Sequence, residues 1–90
     1  MKKAAQIRVA GRVQGVGFRY YAVMKARDFH ISGYIMNMPD SSVFIEAEGN
    51  ETDLDQFILW CNRGPASARV DHIDITPGVI KNYRSFDIRH

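Results

Sequence analysis

Cysteine is nearly missing from this chain: Cys61 is the only one in 90 residues, so no internal disulfide and no cysteine-rich metal site can form. Nothing apolar follows Met1-Lys2-Lys3-Ala4-Ala5-Gln6 for long enough to make a signal peptide, and no run approaches the roughly 20 residues of a membrane span. An excess of one charge is missing too. Twelve Lys and Arg stand against ten Asp and Glu, a formal net charge of +2, and the two signs are interspersed. That pattern excludes a nucleic-acid stripe and a polybasic membrane segment, while it suits a small anionic ligand. His30, His72 and His90 lie on separate segments without ligand spacing, so no metal site is expected. Repeats, low-complexity tracts and linkers are absent as well. The expectations are a reducing cytoplasm, a monomer, and no membrane or nucleic-acid partner.

What is present is an ordinary globular composition, 46% hydrophobic and 24% charged, in a length that suffices for one domain spanning 1–90 and is too short for two. Ile7 and Val9 alternate with Gln6 and Arg8, which predicts a half-buried strand over 5–13. Phe18, Ala22, Ala26 and Phe29 follow at helical spacing, and a period of two returns from His30 to Met38, with Ile35 and Asn37 sharing a face. Pro39-Asp40-Ser41-Ser42 reads as a hairpin turn, in which Asp40 bonds nearby backbone. Val43, Ile45 and Ala47 then alternate with Phe44, Glu46 and Glu48, a strand with an acidic outer face. Asn50 or Thr52 caps a second helix, whose buried stripe is Leu54, Phe57, Ile58 and Cys61 and whose stop is Gly64-Pro65. Cys61 is therefore an inert buried thiol, and Trp60, off the stripe, is partly buried. A strand over 69–75 has Val70 out of phase with Ile73 and Ile75, which predicts a bulge near Asp71 and His72. Phe86 to His90 alternates as a short last strand.

This order, βαββαβ plus a C-terminal strand, predicts a ferredoxin-like α+β sandwich, an antiparallel sheet with two right-handed crossover helices on one face. The first two strands then end at the same sheet edge. With the third strand between them their backbones lie roughly 10 Å apart, a gap that admits a phosphate between Arg19 and Asn37.

The junction of the first strand and first helix carries the chemistry. In Gly11-Arg12-Val13-Gln14-Gly15-Val16-Gly17-Phe18-Arg19, Gly15 and Gly17 permit positive φ, so successive N–H groups can turn inward as an anion nest. The helix N-terminus adds free N–H groups and the positive end of its dipole, and Arg19 adds a charged fork of donors. The same residues also describe a plain tight turn with Arg19 solvated. No Gly-Lys-Ser/Thr follows, and the spacing is not that of a dinucleotide fingerprint.

That nine-residue stretch resembles the signature of the acylphosphatase family, small enzymes that hydrolyse carboxyl phosphates. Gly33-Tyr34-Ile35-Met36-Asn37 resembles the family's second motif, and Gly64-Pro65 with Ala68-Val70 and Phe86-Asp87-Ile88-Arg89 extend the likeness over almost the whole chain. The resemblance implies a catalytic pair at Arg19 and Asn37. It implies that Gln14, Gly15, Val16, Gly17, Phe18 and Arg19 bind the phosphoryl group, and inorganic phosphate with it, while Asn37 positions water. Neither a cofactor nor a metal is implied. The carboxylate leaving group has a conjugate-acid pKa of about 4, so no general acid is required. Three residues depart from the family pattern: Ser41 where glycine is usual, Tyr34 where tryptophan is common, and Met36 where a basic residue is common. Ser41 strains the turn if positive φ is needed there, and Met36 removes a charge from the rim.

Three rival readings are weaker. An RNA-recognition module would stack bases on central-strand aromatics, but 43–49 offers only Phe44 beside two glutamates. A non-catalytic ligand-binding module would not need the pair Arg19 and Asn37. The acylphosphatase-like domain of hydrogenase-maturation proteins continues into much longer chains.

Overall fold

The computed structural model describes all of residues 1–90. Its elements are β1 (Lys2–Arg12), α1 (Phe18–Asp28), β2 (Ser32–Asn37), β3 (Val43–Asn50), α2 (Glu51–Arg63), β4 (Arg69–Pro77) and β5 (Phe86–Arg89). One sheet of order β4-β1-β3-β2-β5 carries α1 against β2 and β5 and α2 against β1, β3 and β4, both helices on the same face. This is the ferredoxin-like sandwich that the pattern predicts. Its first four strands pair antiparallel, but β5 runs parallel to β2, with Ile35 opposite Ile88, so the sheet as a whole is mixed.

The period-two residues Ile7, Val9, Ile35, Val43, Ile45 and Ala47 face the helices, whose stripes of Phe18, Ala22 and Ala26 and of Leu54, Phe57 and Cys61 close the core over them. Ile58 is only half-buried at its edge. The Cys61 thiol is fully buried, and desolvation pushes its pKa far up, which leaves it unreactive. The expected bulge is at Asp71: Ala10 pairs with His72 and Gly11 with Val70, so Asp71 is the extra residue. Asn50 occupies the N-cap of α2 as expected, yet its side chain does not cap the helix. Its Oδ1 instead accepts from the Met1 amino group (3.0 Å), and the Met1 carbonyl accepts the Glu51 N–H (2.9 Å).

The acidic outer face of β3 is not a solvated face. Segment 78–85 crosses it, and Glu48 is 1% and Glu46 8% exposed. Glu48 accepts from the Lys81 N–H (2.8 Å), the Tyr83 N–H (3.1 Å) and Lys2 Nζ (3.2 Å). Glu46 accepts from the Tyr83 hydroxyl (2.6 Å), Lys81 Nζ (2.9 Å) and Gln6 Nε2 (3.4 Å). Burial pushes both carboxyls up, but these donors outweigh it and hold both below the ordinary value. On the same face Tyr34 lies beneath the Arg89 guanidinium, 3.8 Å from its ring centroid, and edge-on to Tyr83.

Candidate active site

Five residues, Val13 to Gly17, join β1 to α1. Val13 is buried and Val16 packs against the core, which pins the loop from below. Gly15 has φ +73° and Gly17, the N-cap of α1, has φ +82°, whereas Val16 between them has no positive φ. Alternating signs of φ are the pattern of an anion nest, in which successive N–H groups turn to one side. From Gln14 to Gly17 no backbone N–H donates to a protein group. The N–H groups of Phe18 and Arg19 belong to the first helical turn, which has no intrahelical acceptors. No acidic residue stands in that turn, so the positive end of the helix dipole is not neutralised. The Phe18 ring, buried and 5.3 Å from the Trp60 ring, fixes the helix end.

Arg19 is half-buried and forms no ion pair with any Asp or Glu. It helps to line a cavity of about 170 Å³ with Val13, Gly15 and Gly17 from the loop and Phe18 and Tyr20 from the helix. Ile88 and His90 close its other side, and no carboxylate side chain lines it. A free guanidinium, free amides and a helix N-terminus thus share one concavity, an arrangement suited to an oxyanion.

Asn37 arrives at the same edge because β1 and β2 are both antiparallel to β3 and hence parallel to each other, with β3 between them. Its Oδ1 is buried and has no hydrogen-bond partner. An acceptor desolvated without compensation costs about 1–3 kcal/mol. Gln14 joins the two halves: its Nε2 donates to the carbonyls of Met38 (2.9 Å) and Ser42 (2.8 Å), on the turn just beyond Asn37. The side chain of Gln14 is thereby committed to bracing, and what it offers an anion is its free main-chain N–H.

The turn itself behaves as its residues suggest. Asp40 Oδ1 accepts from the Ser42 N–H (3.0 Å) and Ser42 hydroxyl (2.6 Å), and Asp40 also pairs with Arg8. Ser41 takes φ +77°, the left-handed conformation that glycine adopts at lower cost. Met36, by strand alternation, faces away from Asn37. No three His, Cys, Asp or Glu side chains converge in the fold, and no helix is long and apolar enough to cross a membrane.

The acylphosphatase family pattern matches residues 5–88, and an acylphosphatase of Archaeoglobus fulgidus is 42% identical over 87 residues, 97% of this chain and 98% of the relative. The chain belongs to the acylphosphatase family. Among solved structures, the chain is similar to an acylphosphatase from Bacillus subtilis, with a TM-score of 0.94, 35% identity and full coverage of both chains. It is also similar to part of full-length HypF in a phosphate- and nucleotide-bound form, with a TM-score of 0.93 and 33% identity over all of this chain and 12% of that one. Acylphosphatases are hydrolases acting on acid anhydrides, and the substrate of this chain is a small acyl phosphate.

Ile88 and His90 on the cavity wall escape the sequence reading. Only the parallel pairing of β5 with β2, which places Met36 opposite Arg89, brings the last residue level with Asn37. The alternation of residues 86–90 shows a strand but not its neighbour.

Proposed function

We propose that the main-chain amides from Gln14 to Arg19 and the Arg19 guanidinium bind the phosphoryl group of the acyl phosphate, and that Asn37 holds the attacking water. The water oxygen forms a bond to phosphorus as the bond from phosphorus to the acyl oxygen breaks, and that electron pair leaves on the carboxylate. The water's proton passes to phosphate oxygen or solvent. The carboxylate needs no protonation to leave at neutral pH, its conjugate acid having a pKa of about 4. Fixed donors meet the charge on the phosphoryl oxygens without reorganising.

The observation that carries this reading is the buried, unpartnered Oδ1 of Asn37 at the edge where the loop amides are also free. A water bound to that oxygen would satisfy it and stand beside the cradle. Metal-independent turnover, inhibition by inorganic phosphate, and a monomer of one domain working in the cytoplasm complete the proposal. A base-stacking RNA module is disfavoured because Arg89 and Tyr83 cover Tyr34. Turnover of benzoyl phosphate, followed by absorbance in EDTA against rising inorganic phosphate, tests it. Full activity with competitive inhibition is expected. Loss of activity that a divalent ion restores, or purely noncompetitive inhibition, would count against it.

A further inference from the structure

The turn that follows α2 reaches across to the phosphate loop. The Ala68 N–H donates to the Pro65 carbonyl (3.0 Å), and Gly64, which ends the helix, is buried so close to Phe18 that a Cβ there would stand 2.9 Å from its ring. From this anchored turn the Ser67 hydroxyl donates to the Val16 carbonyl at 2.6 Å, 51 residues away in the chain. In a trans peptide the C=O and the next N–H point in opposite directions, and no peptide of this chain is cis. Drawing the Val16 oxygen toward Ser67 therefore turns the Gly17 N–H away from Ser67, and of these two residues it is Gly17 that lines the cavity.

The Val16–Gly17 peptide needs such a constraint. Its rotation changes φ of Gly17, and glycine populates positive and negative φ about equally, so the +82° observed is not enforced by the residue itself. The reversed peptide would aim a carbonyl oxygen into the anion site. We propose that Ser67 is a positioning residue for phosphoryl binding, locking the Val16–Gly17 peptide with its N–H toward the substrate. This rests on the reading of the loop as the phosphoryl cradle.

Nitrogen-15 spectra of the wild type, Ser67→Ala and Ser67→Thr, titrated with inorganic phosphate and paired with benzoyl phosphate kinetics, test it. In the wild type the Gly17 amide and its neighbours should shift. Ser67→Ala should weaken phosphate binding and lower kcat/KM by about 3- to 10-fold, the effect of one hydrogen bond, with the melting temperature nearly unchanged. Ser67→Thr, which keeps the hydroxyl, should restore both. An unshifted loop in the wild type would overturn the cradle and Ser67's role with it. A normal wild-type response with unchanged affinity in Ser67→Ala, or a threonine variant no better than alanine, would overturn the role of Ser67 alone.

Discussion

Two polar regions of this small fold are built on opposite principles. Under segment 78–85, Glu46 and Glu48 are buried, and six donors meet them from Lys2, Gln6, Lys81 and Tyr83. At the β1–α1 loop the reverse holds: the amides from Gln14 to Gly17, the Arg19 guanidinium and the Asn37 Oδ1 have no protein partner. Most buried polar groups in proteins are satisfied, so the buried, unpartnered Asn37 Oδ1 is what marks the second region as prepared for something outside the chain. Satisfied groups hold the sheet together, and unsatisfied ones await a ligand. The comparison breaks if changes in the loop lower stability as much as activity, or if changes under 78–85 do the reverse.

The largest effects are expected in the open region. Arg19→Gln removes the charge and fork, and should cost about 2–3 kcal/mol in phosphate binding and in kcat/KM alike. Asn37→Ala should split the two: phosphate affinity stays close to normal because the loop and Arg19 remain, while kcat falls by about 10²-fold or more, the scale for losing a group that orients reacting atoms. Titration with phosphate and turnover of benzoyl phosphate separate them, with circular dichroism confirming the fold. Normal turnover in Asn37→Ala, or an affinity loss as deep as that of Arg19→Gln, would remove the water-positioning role. Neither change should lower the melting temperature much, since Arg19 holds no partner and Asn37 leaves one acceptor uncompensated.

The open region was the more legible of the two in the sequence. Gly15 and Gly17 are spaced for a local nest, Arg19 falls in a first helical turn, and Asn37 ends a strand in phase with Ile35, so local rules locate all four. The closed region was read only in part, for a reason of the same kind. Alternation places Glu46 and Glu48 on the face away from the helices and says nothing of what crosses that face, and the residues 78–85 that cross it carry no periodic signal. His90 beside the cavity, the Gln14 brace and the Ser67 contact are likewise tertiary: each joins segments that nothing in the local pattern pairs.

In the closed region stability should respond instead. Glu48→Gln replaces one carboxylate oxygen by an NH2 group that faces either the Lys81 N–H or the Tyr83 N–H and Lys2 Nζ, and should destabilise by about 1–3 kcal/mol. The sign with pH is set by the lowered folded pKa: the contribution is complete above the ordinary glutamate value near 4.5 and disappears as pH falls through the lower folded value. Chemical denaturation from pH 7 down to pH 3 should therefore show a large deficit for the variant at neutral pH that shrinks in acid. Activity per folded molecule should be unchanged. A deficit that stayed constant with pH would mean that the carboxylate's charge contributes nothing.

The smallest effect lies in the 39–42 turn, which Arg8 holds at Asp40 and Ser42 and Gln14 holds at Met38 and Ser42. Ser41 is exposed, its hydroxyl makes no hydrogen bond, and its φ of +77° is left-handed. A residue with a Cβ gives up roughly 1–2 kcal/mol in that conformation, whereas glycine gives up little there but more conformational freedom from the unfolded chain, about 0.4–1 kcal/mol. The difference favours Ser41→Gly by about 0.5 kcal/mol, or roughly 2–4 °C in Tm for a domain of this size. Because the Asp40 bonds to Ser42 and the Gln14 bonds to Met38 and Ser42 do not involve the Ser41 side chain, phosphate affinity should stay the same. A differential scan of the two proteins measures the shift. A lower Tm for the glycine variant would show that the turn holds Ser41 without strain, and that its departure from the family's glycine costs this chain nothing.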